Sequence, residues 1–167
     1  SLTHCSIWPL FSVRGMSELR VLRARSCGLS RPPVGLDQWP VASRLEVLDL
    51  YHNPDLTEAP DVTRMSGLRE LNLANTFITS PPPGLGLQNG PSRLEILNLS
   101  ESRLAVAPSL RGMTALREVD LHRTRIREFP DGVTSDIPRT RLNLAYTAIR
   151  AIPETIELRK GFDLTGS

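Results

Sequence analysis

One pattern returns six times along the chain and restricts what it can fold into more than any other feature. Its form is L-x-x-L-x-L-x-x-N/C-x-L, with threonine or serine also filling the ninth place. The copies begin at Leu19, Leu45, Leu68, Leu94, Leu116 and Arg139, in steps of 26, 23, 26, 22 and 23 residues. A unit this short cannot bury an apolar side alone, so it must stack on its neighbours. Positions within each copy are numbered 1 to 11 from these residues.

Positions 3 to 7 alternate, with aliphatic residues at 4 and 6, which predicts a short strand with one buried face. One strand per copy gives a parallel sheet with neighbours ~4.8 Å apart. Four residues after each position-11 residue stands a proline: Pro33, Pro60, Pro82, Pro108, Pro130 and Pro153. Proline fixes φ and lacks an N–H, so no long helix is expected on the way back. The return is predicted as extended chain and short 3₁₀ turns, with a helical start at Pro153-Glu-Thr-Ile156. The fold class is therefore an α/β solenoid: a right-handed superhelix with a parallel concave sheet and mostly extended or 3₁₀ convex segments.

A second regularity has twice the period. Pro33-Val-Gly35, Pro82-Pro-Gly84 and Pro130-Asp-Gly132 recur every 49 and 48 residues. Met16, Met65 and Met113 stand three residues before the first position of alternate copies, which predicts core filling. The duplicated unit is read as a pair of repeats. Leu2 to Ile7 matches positions 6 to 11 of an earlier copy, and Phe162 to Ser167 matches positions 4 to 9 of a later one. Residues 1–167 are accordingly read as a single repeat domain, about six full copies with a partial one at each end. A solenoid needs polar caps, so the chain is expected to be a fragment of a longer protein.

Position 9 holds Cys5, Cys27, Asn53, Thr76, Ser102, Thr124 and Thr147. These small side chains are expected to satisfy backbone groups where the strand turns away. Both cysteines are read as buried thiols, although neighbouring strands also lie within the ~4.4–6.8 Å Cα range of a disulfide. Position 2 alternates in sign through Arg20, Glu46, Arg69, Glu95 and Arg117, which predicts cross-strand ion pairs.

The concave face is where binding is expected, because extended concave surfaces are what solenoids use. Position 5 brings Arg23, Asp49, Asn72, Asn98, Asp120 and Asn143 to it. Beside them stand Arg25, Glu70, Asn75, Glu101, Glu118 and Arg123. Both tyrosines, Tyr51 and Tyr146, and all three histidines, His4, His52 and His122, fall on it as well. Tyrosine is a favoured anchor in binding surfaces, so a protein partner is expected here.

Other chemistry finds no support in the sequence. There is no phosphate loop, metalloprotease helix, C-x-x-C or serine elbow. His4 and Cys5 occupy positions 8 and 9 and are expected to face opposite ways, so no catalytic dyad is assigned. No metal site and no cofactor is expected. The net charge of +2 exerts no general pull on polyanions, and no apolar run reaches the ~18 residues of a membrane span. Arginines from Arg103 to Arg150 make the C-terminal half basic, with only Tyr146 nearby to stack, so nucleic acid is not expected. The chain is read as a monomer without membrane contact.

These residues resemble a leucine-rich repeat domain over the whole chain. The stretch from Asn143 through Leu144, Thr147, Ile149 and Ile152-Pro153 to Ile156 is similar to the L-x-L-x-x-T-x-I-x-x-I/L-P repeats of bacterial type III-secreted effectors and plant immune receptors. The resemblance implies a virulence factor secreted by bacteria into the host cytoplasm, whose concave face selects a host protein. Some such effectors carry a ubiquitin ligase domain with a Cys-x-Asp motif beyond their repeats. Neither Cys5-Ser-Ile7 nor Cys27-Gly-Leu29 matches that motif, so no catalytic residue carries over. The chain itself is read as non-enzymatic. The alternatives implied are the substrate-recognition part of a ubiquitin ligase, or the sensor region of an immune-type receptor.

Overall fold

The computed structural model describes residues 2–3, 12–87, 90–133, 140–151, 153, 162–163 and 165–166. The strands are β1 (Leu2–Thr3), β2 (Val21–Arg25), β3 (Val47–Asp49), β4 (Glu70–Asn72), β5 (Ile96–Asn98), β6 (Glu118–Asp120), β7 (Arg141–Asn143) and β8 (Phe162–Asp163). They form one parallel sheet in chain order, the arrangement of a β-solenoid. Every pairing joins equal positions of successive copies. Leu48 sits opposite Leu71 and Leu71 opposite Leu97, while the partial copies at the ends fall in register as Leu2 with Ala24 and Phe162 with Leu142.

Aliphatic side chains at positions 1, 4, 6 and 11 fill the space behind the sheet. Leu45, Leu48, Leu50 and Leu56 are wholly buried, as are their counterparts Leu68, Leu71, Leu73 and Ile78 and then Leu94, Leu97, Leu99 and Leu104. Each contributes about 1.5–3 kcal/mol on burial. Together with Leu22, Val119, Leu121, Leu142 and Leu144 they make one continuous cluster. Met65 and Met113 are buried in it as predicted, but Met16 is 45% exposed. It belongs to the first described coil, where its predicted burial is not met.

The α/β label needs correction. Among the described residues the only helix is the four-residue α1, Val41–Arg44. The described residues of the other return segments are turns, bends and extended chain, without a 3₁₀ element among them. The recurrent prolines account for this, since each removes a donor and clashes with a preceding helical turn. The helical start expected at Pro153 to Ile156 lies outside the described residues, apart from Pro153 itself.

The double period has a physical basis on this side of the solenoid. The N–H groups of Val13, Val62 and Leu110 donate to the carbonyls of Val34, Pro83 and Asp131, at 2.9, 2.9 and 2.7 Å. These carbonyls belong to the middle residues of the Pro-x-Gly motifs in the following coils. At the glycine the two backbones meet. A Cβ on Gly84 would lie 2.4 Å from the Thr63 nitrogen, and one on Gly132 would lie 2.3 Å from the Arg111 nitrogen. Asp61 holds the turn opposite Gly84 by accepting from the Thr63 N–H at 2.8 Å. The hydroxyl and N–H of Thr63 keep the Asp61 carboxyl below its usual range.

Position 9 closes each strand. Asn53 Oδ1 accepts from the N–H groups of Cys27 and Leu29, both at 3.0 Å, and its Nδ2 donates to the carbonyls of Ala24 and Leu50 at 2.9 and 2.7 Å. Thr76, Ser102 and Thr124 each donate a hydroxyl to the carbonyl three residues back, at 2.7, 2.7 and 2.8 Å. The buried Thr147 hydroxyl has no hydrogen-bond partner among the described residues. Cys27 departs from the expectation: it is disulfide-bonded, not a thiol. Cys5, the one other cysteine in the sequence, lies outside the described residues.

Four substitutions have expected outcomes in urea denaturation. Gly84→Ala combines a φ of +98° with a backbone collision and should cost about 3 kcal/mol or more. Gly112→Ala has φ of +69° but open space around its Cβ, and should cost only about 1 kcal/mol. Asn53→Ala leaves four buried backbone groups without partners and should cost several kcal/mol, on the order of 1–3 for each group. Thr147→Val should be neutral or stabilising.

Candidate functional site

The open side of the sheet presents positions 3, 5 and 7 of each strand, since side chains alternate across it. Position 8 joins them for a different reason. Ser26, His52, Asn75, Glu101, Arg123 and Tyr146 all have φ between 53° and 56°. This left-handed turn costs about 1–2 kcal/mol for a residue with a Cβ. It lets each N–H reach the position-7 carbonyl of the next coil: His52 to Ala74, Asn75 to Ser100, Glu101 to His122 and Arg123 to Ala145, at 2.9–3.0 Å. Without the turn, strict alternation would direct position 8 inward. His52, Glu101, Arg123 and Tyr146 are instead exposed.

Position 5 has a local task that the sequence reading did not assign. Asp49, Asn72, Asn98, Asp120, Asn143 and Asp163 each turn Oδ1 back onto the N–H two residues later, at 3.0–3.1 Å. An Asx turn of this kind satisfies an N–H at the point where the strand ends. Each side chain is thereby fixed in direction. The same bonds, from the Thr165 hydroxyl and N–H, depress the pKa of Asp163.

Asp49 is an exception to its expected exposure. It is fully buried, and both Nε and Nη2 of Arg25 reach its Oδ2. Asp49 is therefore withdrawn from the accessible surface, and Arg25 covers it. Their hydrogen bond, reinforced by the charge of Asp49, raises the Arg25 pKa above its already high value.

The remaining candidates divide along the sheet. At the N-terminal end Arg23 lies 3.7 Å from Glu70, and the rings of Tyr51 and His52 are 5.8 Å apart. Beside them Val21 and Ile96 are 44% and 38% exposed at position 3. Sequence reasoning passed over both, although an apolar residue at an outward position was itself the available signal. Towards the C-terminal end His122 is bracketed by Asp120, at 2.9 Å from Nδ1, and Glu101, at 3.4 Å from Nε2. Glu101 also meets Arg123 at 3.7 Å and Asn75 at 3.4 Å. Tyr146 is 57% exposed, with the Arg123 guanidinium 5.8 Å from its ring centre. An open hollow of about 480 Å³ lies between β6, β7 and β8, lined by Glu118, Asp120, Arg141, Asn143 and Asp163. His4 lies outside the described residues.

The position-2 row gives some of the expected pairs, with Arg20–Glu46 at 3.0 Å, Arg69–Glu95 at 3.5 Å and Arg117–Glu95 at 3.6 Å. These partners are largely solvated, so each pair is worth no more than about 1 kcal/mol. Among the described residues no group of three or more His, Cys, Asp or Glu side chains is placed to hold a metal ion, and no helix is long and apolar enough to cross a membrane. The arrangement is a broad, fixed, polar and aromatic surface.

Removing the cation over Asp49 tests how that surface is built. Arg25→Ala leaves a buried carboxylate with the Tyr51 N–H and should cost about 2–3 kcal/mol. Asp49→Asn in the same background should recover part of this, and a double-mutant cycle in urea measures the coupling. Additive effects would show that the pair carries no shared energy.

No protein-family model matches the chain, and no curated protein matches it.

Proposed function

We propose that this chain is a leucine-rich repeat module that binds a partner protein on the open face of its sheet, and that it is the recognition part of a bacterial effector acting on a host protein. The repeat pattern and its resemblance support the family and source. One observation supports the binding role: a single uninterrupted face carries exposed Tyr51, Tyr146, Val21 and Ile96 among charged and amide side chains. Aromatic anchors set in a polar rim are the composition of protein interfaces. The position-5 turns and position-8 bonds hold that face rigid, which lowers the entropy lost when a partner docks.

The disulfide at Cys27 sets a condition on where such a module works. Disulfides persist in oxidising compartments and are reduced in a cytosol. A module delivered into host cytoplasm would therefore carry a thiol at Cys27.

The test is a quantitative pull-down from host-cell extract followed by calorimetry with the recovered partner. Changing Tyr51, His52, His122 and Tyr146 together to Ala should weaken binding by at least about tenfold, or about 1.4 kcal/mol. Trp39→Ala and Leu87→Ala, exposed residues of the return segments, should leave it unchanged. Binding that survives the first set and fails with the second would move the interface to the opposite side.

A further inference from the structure

A second surface lies beside the open face, on the edge where each strand turns into its return segment. The exit segments stack in register like the strands. Phe77 N–H donates to the Leu56 carbonyl, Arg125 to Leu104 and Ala148 to Ile126, at 2.8–3.0 Å, and Ala105 donates to Thr79 at 3.1 Å. Position 11 is buried in each coil, as with Leu104, Ile126 and Ile149, so positions 10 and 12 face outward on either side of it. Position 10 carries Phe77, Arg103 and Arg125 on successive coils, and position 12 carries Arg127 on the same coil as Arg125 and Arg150 on the next.

Arg103, Arg125, Arg127 and Arg150 are all exposed. None forms an ion pair with a carboxylate of the described residues, whereas Arg20, Arg23, Arg25, Arg69, Arg117 and Arg123 all do. Glu128 is exposed next to Arg127 and pairs with none of the four. Arg103 has its guanidinium 3.7 Å over the centre of the Phe77 ring, which holds its plane in place. A chain with a net charge of only +2 thus gathers on one edge cations that pair with no carboxylate of the described residues, on coils whose strands lie about 4.8 Å apart.

We propose that this edge is a docking surface for a short acidic segment of a partner protein, with Arg125 and Arg127 as its centre. The inference goes beyond open-face binding and stands independently of it. Guanidinium groups meet carboxylates through two parallel hydrogen bonds, which a planar donor pair favours. Two features select a carboxylate-bearing peptide over nucleic acid. Single-stranded nucleic acid needs an aromatic platform for successive bases, but Phe77 already has Arg103 on one face, and among the described residues positions 10 and 12 carry no other aromatic. The adjoining open face carries Glu101, Glu118 and Asp120, which would repel a long polyanion. A short acidic run fits the edge without crossing them.

The experiment is fluorescence anisotropy of the full chain with a short labelled glutamate-rich peptide, its glutamine counterpart, and a single-stranded oligonucleotide of equal charge. The glutamate peptide should bind, more tightly at low salt, and the glutamine peptide should not. Arg125→Glu with Arg127→Glu should weaken binding at least about tenfold, and Arg125→Gln with Arg127→Gln by less. Arg64→Glu with Arg93→Glu, equal in charge change and exposed elsewhere, should leave binding within a factor of about two. Far-ultraviolet dichroism verifies that the variants are folded. Failure of the glutamate peptide to bind, equal effects of the two charge-reversal pairs, or tighter Arg125-dependent binding of the oligonucleotide would overturn the proposal.

Discussion

The structure rests on hydrogen bonds that no coil can make alone. A strand of three residues is too short to be stable by itself, and its N–H and C=O groups are satisfied by the coils before and after it. Each such bond runs from the N–H of position 6 to the position-5 carbonyl of the next coil: Leu50 to Asn72, Leu73 to Asn98, Leu99 to Asp120 and Leu121 to Asn143, so that equal positions stand opposite one another. Equal-position pairing is also the only register that keeps the leucines of positions 4 and 6 on the buried side, because a slip of one residue would turn them to solvent. Hydrogen bonding and apolar burial therefore select the same register. Once it is set, any residue type recurring at one position becomes a continuous row across the molecule.

That consequence explains why the surface carries rows of distinct character. Position 5 is a row of Asx turns, position 8 a row of left-handed residues and position 10 a row that changes from Phe77 to Arg103 and Arg125. Position 9 shows how a row tolerates variation. Asn53 satisfies four backbone groups across two coils, whereas Thr76, Ser102 and Thr124 each satisfy one carbonyl of their own coil. The longer amide of Asn53 reaches back to Ala24, Cys27 and Leu29 of the preceding coil as well as to Leu50 of its own. The shorter hydroxyls reach only the carbonyl three residues back in their own coil.

The coil was legible in the sequence because leucine periodicity reports directly on which side chains leave water. Register, the partial coils at both ends, the position-9 role and the absence of long helix all follow from spacing and proline. The left-handed turn at position 8 was not legible, since Glu101, Arg123 and Tyr146 are not residue types that favour positive φ. Their conformation is imposed by the inter-coil bond, which depends on a neighbour 19 to 22 residues away. For the same reason the burial of Asp49 could not be read from its outward position. It depends on Arg25 lying across it from the preceding coil. The state of Cys27 likewise depends on another coil, and spacing alone left thiol and disulfide both open. The chemistry of the sheet's open face was visible as composition. Which of its atoms remain free was visible only once the Asx turns had claimed Oδ1 at position 5 from Asp49 onward.

The distribution of charge separates two kinds of surface on a chain that is nearly neutral. On the open face, arginines are largely neutralised where they stand: Arg23 by Glu70, Arg25 by Asp49 and Arg123 by Glu101. Paired charges of this kind set orientation and exclude wrong partners more than they attract from a distance. What remains to hold a ligand there is aromatic and aliphatic area, with amide and carboxylate atoms fixed in direction. The exit edge is the reverse, with guanidiniums that pair with no carboxylate of the described residues. Long-range attraction would come from that edge, and shape-dependent contact from the face beside it. A partner with an acidic run next to an apolar, hydrogen-bonding patch would satisfy both at once, and linking two modest contacts multiplies their effect through local concentration.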